Sequence, residues 1–134
     1  MQIALVIALS LHVLSSVFWA GSSFTLARTG GAGGELLFGP QMGAAAVAIL
    51  TGGWLGHLVH DGAFGTAEMT LAAGALCALI AAGVQAAIGG RAIRGLRNGT
   101  AEAPAARSQI ATAQRVAAAL LAVTALCMGA ARYV

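Results

Sequence analysis

Four long apolar runs, separated by short polar or glycine-rich stretches, make up most of this chain. The first, residues 4–26 (ALVIALSLHVLSSVFWAGSSFTL), contains no Asp, Glu, Lys or Arg. A helix needs roughly 20 apolar residues to cross a bilayer, and each run is about that long. The pattern predicts helices over about 2–27, 40–60, 66–90 and 109–131. Together these make one all-α domain over 1–134, an integral membrane four-helix up-and-down bundle. Pro40 is expected at the start of the second helix, where its missing N–H is harmless. Before it, TGGAGG in the linker 29–39 is expected to form a loose loop, because glycine is costly to order. His60-Asp61-Gly62, followed by residues 63–65, is a short turn that makes the second and third helices antiparallel neighbours.

Within these runs the polar residues fall on stripes. His12, Ser16, Trp19 and Ser23 lie on one face of the first helix at helical spacing. Gly74, Ala78, Ala81 and Gln85 form a small-residue face on the third, with one amide able to hydrogen-bond across helices. Gly52 and Gly56 make a GxxxG on the second helix, and Gly53, His57 and His60 lie on a neighbouring stripe. The GxxxG lets another helix approach closely, within the bundle, in a homo-oligomer or in a larger complex.

Composition supports a membrane location. Of the 134 residues 59% are hydrophobic and 8% charged, against about 25% charged in a soluble domain. Lipid is therefore the expected surroundings, and the spans leave no room for a soluble domain. All seven basic residues are arginines, and most flank spans. That distribution accounts for the basic pI of 9.7 without a nucleic-acid partner. MQIALV lacks a basic stretch, so the first helix is expected to be retained rather than cleaved. Cys77 and Cys127 lie in apolar runs, make no CxxC pair and are expected to act as small hydrophobes.

Charge also gives an orientation. Arg91, Arg94, Arg97 and Arg107 surround the linker between the third and fourth helices, and Arg28 lies on the same side. The positive-inside rule puts that side in the cytoplasm. Both termini are then outside, periplasmic for a bacterial inner-membrane protein. Arg115 and Arg132 bracket the fourth helix and can snorkel to opposite interfaces. Arg132 alone runs against the rule.

This topology brings all three histidines into the outer half of the membrane, with Met69 and Met128. An ionisable group in a span is by default a candidate functional residue. Imidazole and thioether groups ligate haem iron and copper. The first expectation is a haem b held between the first and second helices for a redox or electron-transfer role. His12 supplies one axial ligand and His57 the other, the two offset by about 6 Å in depth at the helical rise. His60 is a more distant alternative. Trp19 would wall the pocket, and Arg132 and Tyr133 would meet the propionates. If the chain is an enzyme, it is a membrane haem oxidoreductase. Copper binding or transport, using His12 with methionines, is a second expectation. The third is a subunit without a cofactor, docked to a larger complex, in which His12 bonds a serine or carbonyl of another helix. The only acids, Glu35, Asp61, Glu68 and Glu102, lie near loops. They form no Ser–His–acid set and no carboxylate pair within a span. The glycines of 30–34 follow no strand, so they are not a nucleotide loop.

The segment LHVLSSVFWAG, residues 11–21, has an H-x6-W-x-G pattern. It resembles the first helix of small bacterial membrane proteins of the copper-resistance D type. It is also similar to that of the haem-containing membrane protoporphyrinogen oxidase family. The resemblance implies four helices and a haem or metal ligand at His12. It is confined to the first helix. The oxidase family also uses a lysine in a later helix, and this chain has none. That family's proline-arginine segment is reduced here to Leu26-Ala27-Arg28.

Overall fold

The structure, a computed structural model, describes residues 1–60, 62 and 64–134. Four helices account for nearly all of them: α1 Gln2–Arg28, α2 Gly34–Val59, α3 Thr66–Arg97 and α4 Ala103–Ala130. There is no strand among the described residues. All four are long and apolar enough to cross a membrane. The chain is an all-α four-helix bundle with the character of an integral membrane protein. Helices suit this surrounding because each satisfies its own backbone N–H and C=O groups where no water is available.

Large apolar side chains point outward and small ones inward. Ile3, Val6, Leu14, Val17, Leu50 and Leu126 are exposed. The interior is built from Ala45, Ala48, Ala78, Ala81, Ala113 and Ala117 around Trp19 and Leu121. In lipid, burying a leucine against another helix gains little over leaving it in the acyl chains. Close approach through small residues holds such bundles together instead.

Packing is uneven around the bundle. α1 lies along α2, α3 along α4, and α1 against α4 joins the two pairs, while α2 and α3 touch only lightly. The short connection therefore does not make α2 and α3 close packing partners. Their small-residue faces are already occupied: α2 receives α1 at Gly52, and α3 receives Thr124 and Cys127 of α4 at Gly74. Part of the expected turn, Asp61 and Ala63, lies outside the described residues.

Three helix ends differ from expectation. α2 begins at Gly34, so Pro40 lies inside the helix rather than at its start. Gly33, with φ 81°, is the N-cap and starts the helix early. α3 continues through a π-helical segment, Gln85–Gly89, as far as Arg97. α4 starts at Ala103, with Pro104 in its first turn. The arginine-rich linker is thus largely helical. Arginine is a good helix former, and Ala92 and Ile93 pack there on Ala106 and Ile110.

The glycine-rich turn is tight, not loose. Gly31 has φ +82°, and a Cβ there would stand 2.5 Å from the Arg107 carbonyl oxygen on α4. Gly30, φ +67°, faces open space. Gly31→Ala is therefore expected to lower stability by about 2–3 kcal/mol, from the left-handed backbone and the collision together. Gly30→Ala should lose only about 1 kcal/mol from the backbone. Denaturant unfolding in detergent measures the gap, and equal losses would mean the turn does not seat on α4.

Candidate functional site

Each helix contributes a polar side chain to one buried layer. α1 supplies Trp19, Ser22 and Ser23, α2 Gln41, α3 Gln85 and α4 Gln114. The Trp19 indole N–H donates to Gln85 Oε1 at 2.7 Å. Gln85 Nε2 donates to Ser23 Oγ and to Gln114 Oε1, both at 2.8 Å. Gln41 and Gln114 pair reciprocally, Nε2 to Oε1, at 3.1 and 2.8 Å. Gln41 Nε2 also reaches Ser22 and Ser23. Both serines donate to the Trp19 carbonyl. Gln41, Gln85 and Ser23 are 0% exposed. Among the described residues no buried side-chain nitrogen or oxygen lacks a partner. That completeness matters, because an unpaired polar group costs several kcal/mol in an apolar medium.

The small-residue face with Gln85 is as the sequence predicts. Gln41 and Gln114 were not singled out by sequence reasoning. A partial signal was available: Gln41 is the one amide of α2, whereas α4 carries Gln109 as well as Gln114, so composition alone did not single out the latter. Trp19, expected to wall a pocket, is instead a member of this layer. The layer contains no titratable group, so it can fix the register of the helices but cannot carry a proton by ionising.

The hydrogen-bonded layer also serves as a ruler along the bundle. His12 lies eleven residues from Ser23, and Gly52 eleven from Gln41. Both are therefore about 16 Å above the layer at 1.5 Å per residue, and they meet. A Cβ on Gly52 would stand 2.8 Å from His12 Cε1. His12 Nδ1 is 2.8 Å from the Ala48 carbonyl oxygen and 3.2 Å from Thr51 Oγ1. A carbonyl only accepts, so Nδ1 carries a proton; the neutral tautomer with that proton has its lone pair on Nε2. Nε2 has no protein partner among the described residues. Since no buried nitrogen there is unpaired, Nε2 reaches the bundle surface.

The other candidates stand apart from it. His57 is exposed. It lies five residues beyond Gly52, which is about 8 Å higher and about 140° round α2. His60 Nδ1 donates to the Gly56 carbonyl at 2.9 Å, and its Nε2 is 3.6 Å from Glu68 Oε1. Glu68 also accepts from the Gly65 N–H at 2.8 Å, at the start of α3. Arg132, Tyr133, Met69 and Met128 are exposed. Among the described residues no three His, Cys, Asp or Glu side chains group closely enough to hold a metal ion. The structure thus places the histidines at the end of the bundle opposite the arginine cluster, but does not bring His57 or His60 to His12.

No protein-family model, curated protein or solved structure matches this chain.

Two outcomes follow from these contacts. Leucine at Gln41 or at Gln114 strands the other amide, so each single change should lower stability by about 1–2 kcal/mol. The double change should cost clearly less than the sum, and additivity in detergent unfolding would deny the pair. Gly52→Ala pushes on His12 and should lower the unfolding midpoint of the monomer. Gly56→Ala faces open space and should leave that midpoint unchanged. Equal effects would remove the assignment of Gly52 to the His12 contact.

Proposed function

We propose that this protein is an integral membrane haem b-binding protein with a redox or electron-transfer role, in which His12 is an axial ligand. The observation that carries the reading is the hydrogen bond from His12 Nδ1 to the Ala48 carbonyl. Ligating histidines are commonly oriented in this way, with the second ring nitrogen held by a carbonyl and the first left free for the metal. Here Gly52 and Ala48 of α2 fix the ring, and Nε2 stays open within the span. His12 Nε2 is the atom of this chain that would hold the iron, while His57 is exposed and about 140° round α2 from Gly52. Bound haem would supply one-electron chemistry. The chain's own part is to orient the imidazole, fix its tautomer and keep the site within an apolar, water-poor zone.

The orientation belongs to the same reading. Arg28, Arg91, Arg94, Arg97, Arg107 and Arg115 cluster toward one end of the bundle, with Arg132 at the other. By the positive-inside rule the six mark the cytoplasmic side of a bacterial inner membrane. The termini and the His12 half then face the periplasm.

A second reading is favoured by a separate observation. His12 is already hydrogen-bonded across the α1–α2 seam, while Gly53, Gly56 and Trp54 present an unfilled surface on α2. On that reading the chain is an accessory subunit whose α2 docks to another membrane helix, and His12 is a structural contact.

An absorption spectrum separates them. Protein purified in detergent and titrated with haem is expected to show a Soret band, and sharp α and β bands on reduction. His12→Ala should abolish these bands, whereas His57→Ala should leave them. A preparation that takes up no haem, or takes it up equally after His12→Ala, would leave the accessory reading.

A further inference from the structure

We infer that the arginine-rich end of the bundle is a binding surface for anionic phospholipid headgroups, with Arg28, Arg91 and Arg107 as its phosphate ligands. The first support is depth, measured from the amide layer that ties the four helices at one level. Arg28 lies five residues beyond Ser23, Arg91 six beyond Gln85 and Arg107 seven before Gln114. At 1.5 Å per residue these are about 7, 9 and 10 Å past the layer. Three different helices therefore bring a guanidinium to nearly the same depth. On the other side, α4 runs sixteen residues from Gln114 to Ala130, and α1 twenty-one from Ser23 to Gln2. Those lengths are about 24 and 31 Å. The first takes up most, and the second all, of a hydrocarbon core about 30 Å thick. The edge of that core at the arginine end then falls between the layer and a few ångströms past it. The three guanidinium groups lie just beyond it, at the level of lipid phosphates. Arg115, beside Gln114 in the layer, is exposed and long enough to reach up to the same level. Arg94 and Arg97 continue outward along α3.

The second support is the absence of internal partners. Among the described residues no arginine makes a salt bridge, and the one ion pair is His60–Glu68 at the opposite end. Arg28, Arg91, Arg107 and Arg115 make no side-chain hydrogen bond there. The only acids at this end are Glu35 and Glu102, against six arginines. The third support is residue type. Lysine serves a topology signal as well as arginine, yet this chain uses arginine alone. The guanidinium fork pairs in bidentate fashion with a phosphate, which an ammonium cannot do.

Native mass spectrometry of the detergent-purified protein, equilibrated with equal amounts of phosphatidylglycerol and phosphatidylcholine, tests this. The wild type is expected to carry phosphatidylglycerol in large excess, on the order of a hundredfold where the three arginines act independently. Juxtamembrane arginines act at the energy of roughly a fivefold preference each. Arg28→Gln/Arg91→Gln/Arg107→Gln should therefore bring the ratio near parity, and Arg94→Gln/Arg97→Gln should keep most of it. If the triple variant is not monodisperse, Arg91→Gln alone is read, with a fivefold drop expected. Parity in the wild type, or an unchanged ratio in the variants, would overturn the proposal. So would displacement of the lipid by millimolar inorganic phosphate, since the surface would then select the free ion.

Discussion

The buried amide layer is the constraint on which the rest of this bundle depends. In water, four amphipathic helices would be driven together by their apolar faces. Here the surroundings are as apolar as the leucines, and that drive is missing. What remains is the close contact of alanines and glycines, together with the need to satisfy any polar group left among them. Trp19, Ser23, Gln41, Gln85 and Gln114 meet this need mutually. Sliding any one helix by a turn would strand several donors and acceptors at once. The layer therefore specifies register, which a smooth alanine surface specifies poorly.

The layer also orders the chemistry along the membrane normal. Its members are neutral amides, hydroxyls and an indole, so no charge resides at that depth inside the bundle. The ionisable side chains lie on either side of it, with His12, His57 and His60 one way and most of the arginines the other. His12 is the one histidine tied to another helix deep within the span. Its bond to Ala48 depends on Gly52, whose missing side chain makes room for the ring. A packing motif and a candidate ligand are thus one feature.

The loose contact between α2 and α3 has the same origin. Small faces are limited, and each is used once: α2 for α1, α3 for α4, and α1 with α4 for the centre. The π-helical segment starting at Gln85 fits this economy. It widens the helix where the amide enters the layer; its last residue, Gly89, is buried, as are Gly90, Ala92 and Ile93 beyond it.

Hydrophobicity by itself determined the fold class. Four charge-poor apolar runs of about 20 residues read as spanning helices, because a helix satisfies its own backbone in lipid, whereas a barrel strand is about half that length and alternates in polarity. The inward stripe on α1 and the small face around Gln85 were equally legible, since helical periodicity converts sequence spacing directly into direction. Helix ends were less so. TGGAGG and the polar, proline-containing stretch 98–108 look like loops by local preference, yet Gly31 seats on Arg107, and Ala106 and Ile110 pack on Ala92 and Ile93. The joining of Gln41 to Gln114, the exposed placement of His57 and the seating of His12 on Gly52 were decided by tertiary structure alone. Each depends on the rotation and relative height of two different helices. Spacing within one helix carries no information about either, and the closed set of hydrogen bonds among four helices supplies both.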